Sequence, residues 1–308
     1  MRVVLVDPSR TVLKYVGRLL KARDHEVRPF TDATAALEYL KSDVRVGALV
    51  TSCELGSISG LELCWQTRLI AGRDRQIYVL LMSSNQDRHR LIEALDSGAD
   101  DFIGKPPVAE ELYARLRAAE RLALMQHELV RLATTDPLTG ALNRRAFFER
   151  ATQASERAQA GAALAAIMFD IDHFKRINDG YGHAIGDEAI RLVAREAAMT
   201  DGIVGRLGGE EFAVLLDGAT MADAVEIAEE LRGKFAALRF VAESGVMSLT
   251  CSFGVSEWEP ADTIDSLLKR ADVALYAAKT GGRNRVVADT TLSAHEPGRG
   301  LIRGAARG

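Results

Sequence analysis

Residues 207–212 read Leu-Gly-Gly-Glu-Glu-Phe, and apolar runs flank them on both sides. This pattern predicts a tight β-hairpin, because glycine adopts the positive φ angles of such turns without steric cost. Gly208 and Gly209 also let the backbone approach a ligand closely. Glu210 and Glu211 repel each other unless a cation lies between them, and hard carboxylate oxygens suit Mg²⁺. We therefore expect a cation site at this hairpin. The alternative is a solvated turn with two ordinary surface acids.

A second acidic stretch lies upstream at residues 167–172, which read Ile-Met-Phe-Asp-Ile-Asp. The pattern is typical of a buried strand that ends in acids. Asp170 can reach the same cation as Glu210 if the two strands are neighbours in a sheet. We interpret Asp172 as a structural or solvated neighbour and assign it no role in the site.

These stretches and further motifs stand in the order found in the GGDEF-domain diguanylate cyclases, which join two GTP molecules into cyclic di-GMP. The chain resembles that family over residues 135–287, about half of its length. The further motifs are residues 136–140 and 143–145 at the start, 174–187 in the middle, and 271–276, 278–279 and 282–284 at the end. The resemblance implies an α+β domain of the nucleotidyl-cyclase type with a ferredoxin-like core.

The resemblance also implies which residues hold metal ions and carry out catalysis. It places metal ligands at Asp170, the carbonyl of Ile171 and Glu210, with two Mg²⁺ ions per GTP and Mn²⁺ as an alternative. It implies catalytic roles for Glu210, Glu211 and Lys175. Which glutamate activates the attacking 3′-hydroxyl stays open. Phosphoryl transfer of this kind depends on metal bridging, positioning and charge neutralisation more than on covalent help.

A further set of residues is implied to bind the substrate GTP. It comprises Asn178, His183, Asp187, Gly208, Gly209, Lys279 and Arg283. Lys279 and Arg283 are four residues apart, on one helix face, and suit the terminal phosphates. A carboxylate beside an amide, as at Asp187 and Asn178, selects guanine over adenine. His183 is equally well interpreted as a packed loop residue.

One feature of many family members is absent from the sequence. They carry an Arg-x-x-Asp motif shortly before the Gly-Gly pair, which binds the product and inhibits the enzyme. The matching positions here are Met199 and Gly202. We therefore expect product inhibition to be weak.

Residues 1–117 alternate strand-like and helix-like segments in five β-α repeats. This alternation predicts an α/β unit with a flavodoxin-like parallel sheet and helices on both faces. The ends of these strands resemble those of a response-regulator receiver domain. Asp7 matches the first metal-holding acid, Ser83 the switch hydroxyl, and Lys105 the lysine that contacts the acyl phosphate.

Two of the receiver positions lack the carboxylates that the phosphorylation chemistry needs. Pro8 stands where the second metal-holding acid is found, and Ser52 stands at the phosphoacceptor position. A single remaining acid rarely holds Mg²⁺ by itself. We therefore expect a pseudo-receiver that keeps the fold but is not phosphorylated.

Residues 118–135 form the expected stalk between the receiver-like domain and a cyclase domain at 136–288. Apolar residues follow each other in this stalk at spacings of 4, 3, 4 and 3, which favours a two-stranded coiled coil. They are Ala118, Leu122, Met125, Leu129 and Leu132. The alternative is an amphipathic helix packed on its own domain. Residues 289–308 are rich in glycine, alanine and polar residues, and we expect them to be disordered.

Length and composition limit the number of domains, the classes of partner and the cellular compartment that we expect. The 308 residues suggest two domains, and a net charge of −4 gives no sign of nucleic-acid binding. The longest apolar stretch, at 162–169, is shorter than the ~20 residues that span a bilayer. The three cysteines lack metal-site spacing and read as reduced thiols. No signal peptide is visible, so we expect a cytoplasmic protein.

The sequence thus predicts a homodimeric diguanylate cyclase with GTP as its substrate. Its pseudo-receiver would serve for dimerisation or for regulation by an unknown protein partner. The alternative from another class is a binding module that senses GTP or cyclic di-GMP without turnover. Such a module is expected to have lost an acid or a glycine from residues 208–212, and none is lost.

Overall fold

The computed structural model describes residues 1–56, 58–72, 75–84, 88–242 and 245–289. Within this part the chain forms two compact units, Met1–Leu129 and Val130–Gly308. The predicted disordered tail lies outside the described residues except for Asp289, and the predicted domain boundaries stay predictions. No helix in the described ranges combines the length and apolar character that a membrane span requires.

The first unit is a five-stranded parallel sheet with helices between its strands. The elements are β1 (Arg2–Val6), α1 (Arg10–Lys21), β2 (Glu26–Phe30), α2 (Ala33–Ser42), β3 (Val46–Ser52), α3 (Gly60–Ala71), β4 (Tyr78–Ser83), α4 (Arg88–Asp96), β5 (Asp101–Gly104) and α5 (Ala109–Thr134). The strand order β2-β1-β3-β4-β5 is the flavodoxin-like order that the repeats predicted.

Burial on both faces explains why the strands of this sheet are continuous apolar runs. Val3 and Leu5 of β1 pack into one hydrophobic core, whereas Val4 and Val6 pack into the other. Helix starts follow capping rules as well: Asp32 caps α2 by accepting a hydrogen bond from the Ala35 amide. The α/β fold class predicted for this unit is therefore confirmed.

The second unit is built on a six-stranded mixed sheet. Its elements are β6 (Leu142–Asn143), α6 (Arg144–Gln159), β7 (Leu164–Ile171), α7 (Phe174–Tyr181), α8 (His183–Ala197), β8 (Ile203–Gly208), β9 (Glu211–Asp217), α9 (Met221–Ala237), β10 (Phe240–Ala242), β11 (Gly245–Met247), β12 (Cys251–Glu257), α10 (Ile264–Thr280) and β13 (Val286–Ala288). The order is β13-β12-β7-β9-β8-β6, and β10 and β11 form a separate hairpin.

Strand β7 lies near the centre of this sheet, antiparallel to both β9 and β12. Its residues are buried on both faces: α8 and α9 contribute to the core on one side, α6 and α10 to the core on the other. Helix α10 approaches β12 closely because Gly254 has no side chain. A Cβ there would lie 2.0 Å from the carbonyl oxygen of Ala271. This packing fixes the end of β7, where the acids stand, against α10.

Candidate functional site

The β8–β9 hairpin has the geometry predicted for its glycine pair. Gly208 pairs with Glu211 across the antiparallel strands, and Gly209 and Glu210 form the turn between them. Gly209 has a φ of 41°, in the left-handed region that glycine tolerates. Glu210 is half-buried and Glu211 is exposed. The turn therefore presents two adjacent carboxylates beside an open backbone.

Strand pairing brings the second acidic stretch next to the hairpin turn. Asp170 in β7 is the register partner of Glu211 in β9. Asp170 is 7% exposed, and the Nζ of Lys279 lies 2.9 Å from its Oδ2. The predicted neighbourhood of the two acidic stretches is thus observed, with a lysine from α10 added to it.

Burial is the largest of the influences that raise the pKa of Asp170 to about 6, and the nearby charges of Glu210 and Glu211 contribute in the same direction. Lys279 acts in the opposite direction, through its hydrogen bond and its charge. The ionised carboxylate is therefore poorly stabilised by the protein alone. A bound cation would relieve this cost.

The oxygen donors present suit a hard divalent cation that is shared with phosphates. In the parts of the chain that the structure describes, no three His, Cys, Asp or Glu side chains stand close enough to hold a metal ion by themselves. Mg²⁺ is commonly bound through one or two carboxylates plus substrate phosphates, so Asp170 and Glu210 fit that mode and do not fit an all-protein cage.

Helices α7 and α8 bring the proposed guanine-reading residues together. The Oδ1 atom of Asn178 is buried and accepts no hydrogen bond. It lies against Gly186, where a Cβ would approach it to 2.0 Å, and Asp187 follows directly. A buried acceptor without a donor is unfavourable, which makes Asn178 a candidate to receive an N–H group from a ligand.

The remaining predicted substrate contacts lie on exposed positions. Lys175 in α7 and His183, the first residue of α8, are both exposed. Arg283 is exposed in the turn after α10, four residues beyond Lys279, and has a φ of 64°. Exposure leaves all three side chains accessible to a nucleotide.

The sequence did not reveal the role of Arg206, which joins the opening motif to the hairpin. Its guanidinium donates to Asp136 Oδ1 at 2.9 Å and to the carbonyl oxygen of Gly209 at 2.8 Å. Asp136 also accepts from the backbone and the hydroxyl of Thr139. Burial raises the pKa of Asp136, but these hydrogen bonds and Arg206 outweigh it and hold the pKa below its ordinary value. Arg206 and Asp136 are 70 positions apart in the chain, so no motif spacing in the sequence indicates that they interact.

In the first unit, three of the predicted receiver positions converge at the carboxyl ends of the strands. The Nζ of Lys105 lies 2.7 Å from Asp7 Oδ2 and donates to Ser52 Oγ at 3.1 Å. Ser83 ends β4, and its carbonyl oxygen accepts from the Lys105 amide at 2.9 Å. Pro8 follows β1 and is exposed. The charges of Lys105 and Asp7 therefore neutralise each other beside Ser52.

Comparison with known proteins gives two domain families that match this architecture. The family model described as diguanylate cyclase, GGDEF domain, matches residues 133–285. The model for the response regulator receiver domain matches residues 3–117.

One individual relative matches nearly the whole chain, and another matches about half of it. The response regulator PleD of Caulobacter vibrioides is 34% identical over 300 residues, covering 93% of this chain and 65% of PleD. The diguanylate cyclase DgcP of Pseudomonas aeruginosa is 40% identical over 158 residues, covering 50% of this chain and 24% of DgcP. The chain thus spans less than two thirds of either relative.

A solved structure of a related protein resembles the second unit. It is the coiled coil and GGDEF domain of DgcB from Caulobacter crescentus in complex with c-di-GMP. DgcB is 34% identical, its TM-score is 0.54, and the match covers 58% of this chain and 97% of that one. The chain therefore belongs to the GGDEF-domain diguanylate cyclase family and carries an N-terminal response regulator receiver domain.

Proposed function

We propose that this protein is a diguanylate cyclase that condenses two GTP molecules into cyclic di-GMP and two pyrophosphates. The pairing of Asp170 with Glu211, beside the Gly209–Glu210 turn and 2.9 Å from Lys279, carries the proposal. Carboxylates and a lysine that meet where strand β7 adjoins the hairpin turn suit a magnesium nucleotide. Membership of the GGDEF-domain family and the intact Gly-Gly-Glu-Glu turn also support the proposal.

The cationic side chains would bind and neutralise the triphosphate. Lys279 lies in the last turn of α10, whereas Arg283 lies in the turn after the helix and not, as predicted, on the same helix face. Both suit the terminal phosphates, and Lys175 lies on the helix after Asp170. Charge neutralisation of the leaving pyrophosphate lowers the barrier for attack on the α-phosphorus. Gly208 and Gly209 leave the backbone free to approach the phosphates.

A metal ion would be held by Asp170, the carbonyl of Ile171 and Glu210. When bound, Mg²⁺ or Mn²⁺, at two ions per GTP, polarises the phosphoryl oxygens and orients them. Glu210 or Glu211 would take the proton from the attacking 3′-hydroxyl. Because Glu210 and Glu211 are adjacent at this turn, one of them can bind the metal ion while the other acts as the general base.

Guanine would be recognised by Asn178 and Asp187, with His183 beside them. The unpartnered Oδ1 of Asn178 would gain an N–H donor from the guanine edge, and the Asp187 carboxylate would accept two more. Adenine presents a different donor pattern at that edge. The pocket would therefore select GTP over ATP.

Each cyclase domain would bind one GTP, so the reaction needs two domains face to face in a homodimer. The predicted seam of α5 supports this assembly because its large apolar residues are exposed. Leu122, Met125, Leu129 and Leu132 are 51%, 63%, 66% and 59% exposed. A second copy of α5 would cover them.

The receiver domain would act through contacts instead of phosphorylation. The ion pair between Lys105 and Asp7, with Ser52 at the acceptor position, leaves no carboxylate for an acyl phosphate. We propose that the domain serves as a dimerisation platform or as a docking face for a protein partner.

Turnover of GTP by active-site variants tests the proposal. Asp170→Asn and Glu210→Gln should each lower cyclic di-GMP formation by at least a hundredfold, because each removes a metal ligand without changing volume. Asp179→Asn, an exposed acid on α7, is the matched control and should retain wild-type turnover. Near-full activity in Asp170→Asn or Glu210→Gln would refute the assigned role. GTP binding without turnover in the wild type would support a sensor instead.

A further inference from the structure

The carboxylate of Asp172 is the centre of a hydrogen-bond network for which the proposed chemistry gives no role. Asp172 is 6% exposed and follows β7 directly. Its Oδ1 accepts from the Ser252 hydroxyl at 2.7 Å. Its Oδ2 accepts from the Thr250 hydroxyl at 2.7 Å and from the backbone N–H of Asn284 at 3.0 Å. All three donors are neutral, and the last comes from 112 positions along the chain.

The turn that contains Asn284 has an unusual backbone. Arg283 and Asn284 have φ angles of 64° and 44°, in the left-handed region that residues other than glycine rarely adopt. Two consecutive residues of this kind persist only where their surroundings hold them. Here the Ala278 carbonyl accepts the Arg283 amide at 3.0 Å, and Asp172 accepts the next amide.

We propose that Asp172 is a positioning residue that fixes this turn so that Arg283 meets the terminal phosphates of GTP. The inference rests on the proposed cyclase function. Asp172 leaves β7 two residues after Asp170, while Lys279 of α10 reaches Asp170 itself. The end of β7 therefore holds α10 and its following turn at two points. The first lies in the metal and phosphate site, and the second is buried behind it.

Fixing the turn matters because an arginine that must be ordered on binding gives up affinity. An exposed guanidinium on a loose turn would lose rotational and backbone freedom with each substrate molecule. Holding the backbone in advance through Asp172 removes the backbone part of that cost. The effect should appear only for ligands that carry the terminal phosphates.

Nucleotide binding to the full chain tests this inference without turnover. The ligands are 3′-deoxy-GTP, which lacks the attacking hydroxyl, and GMP, which lacks the terminal phosphates, both with Mg²⁺ in a calorimeter. Asp172→Asn should weaken 3′-deoxy-GTP binding at least fivefold and leave GMP binding within twofold. Arg283→Ala should do the same, and the double variant should add nothing further, because both act through one contact.

Ser252→Ala is the matched control. It removes one hydrogen bond to Asp172 but leaves Oδ2, which holds Asn284. This variant should lower the melting temperature but leave the ratio of the affinities for 3′-deoxy-GTP and GMP unchanged. If Asp172→Asn does not fold, replacement of the Asn284 backbone amide by an ester takes its place, since the ester deletes the N–H that Asp172 accepts and leaves the left-handed φ angle accessible.

Hydrogen exchange at the Asn284 amide gives a readout independent of nucleotide. Exchange should be at least tenfold faster in Asp172→Asn than in the wild type, and unchanged in Ser252→Ala. Equal losses of 3′-deoxy-GTP and GMP binding, or unchanged exchange at Asn284, would overturn the positioning role. A wild type that binds neither nucleotide would instead refute the proposed cyclase function.

Discussion

At the scale of single residues, Asp170 is a proposed metal ligand whose ionisation costs the fold stability. Its pKa of about 6, against an ordinary 3.8, means that the folded protein holds the proton more tightly than the unfolded chain. Ionisation therefore removes stability as pH rises from 3.8 through 6, and the full penalty is present above that range. Such a cost is typical of sites kept for binding.

Asp170→Asn should accordingly stabilise the metal-free protein while it abolishes turnover. One pKa unit corresponds to about 1.4 kcal/mol, so the advantage of the variant should grow by about 1 kcal/mol between pH 5 and pH 7. Thermal unfolding in EDTA at both pH values measures it, with Asp179→Asn as the control. A variant less stable than the wild type at pH 7 would contradict this balance.

Gly202, one of the two positions where the product-binding motif is expected, lies too close to β9 to carry a side chain. A Cβ at Gly202 would lie 2.4 Å from Val214 Cγ1 and 2.9 Å from Leu216 Cδ2. Strand β9 therefore excludes a side chain there without rearrangement, and the other motif position, Met199, carries no charge.

Cyclic di-GMP should consequently be a weak inhibitor. Without the arginine–aspartate pair, product bound away from the active site loses a bidentate clamp and its charge-assisted bonds. Initial rates at increasing product concentration measure this, and inhibition should require product at least as concentrated as the substrate. Half-inhibition far below the substrate concentration would mean that other basic residues bind the product.

At the scale of elements, the sequence predicted best those helices, strands and turns whose formation depends on residues close together in the chain. The turn at Gly209 and the buried strand β7 follow from local pattern and glycine geometry. The order of the six strands does not, since β7 pairs with β12 across some 80 residues. The contact of Lys279 with Asp170 depends on that order. So do the bonds of Arg206 and Asp172, which pattern alone could not reveal.

The stalk helix α5 carries a prediction of its own. Leu122→Glu and Leu129→Glu should weaken the dimer and lower activity per protomer in dilute solution, because they place charges in the apolar seam. Leu124→Glu is the matched control: Leu124 is 69% exposed but lies off the seam. Sedimentation and turnover across a protein dilution series measure both effects. A dimer that persists in the seam variants at every dilution, with full activity, would rule out the seam as its interface.

At the scale of the whole molecule, a response regulator receiver domain and a GGDEF domain share one chain, and we propose that the first lacks the usual phosphorylation trigger. A modification shifts a two-state domain only by its differential interaction with the two states. If Ser52 occupies the acceptor position, as proposed, with Lys105 paired with Asp7, phosphorylation would not supply that energy.

Beryllofluoride or acetyl phosphate with Mg²⁺ should therefore change neither the cyclase rate nor the fraction of dimer. Turnover and sedimentation with and without each reagent measure this. A receiver domain with its aspartate intact, treated in parallel, is the control for the reagents. Phosphate found on the first unit, together with a changed cyclase rate, would contradict the pseudo-receiver interpretation.

The conversion of GTP by the purified chain decides whether this protein is a diguanylate cyclase. The protein is incubated with GTP and Mg²⁺ at a concentration where it is dimeric, and the nucleotides are resolved by mass spectrometry. We expect one cyclic di-GMP and two pyrophosphates for every two GTP consumed, and no product in Asp170→Asn. Tight binding of GTP that returns unchanged from the wild-type dimer would contradict it.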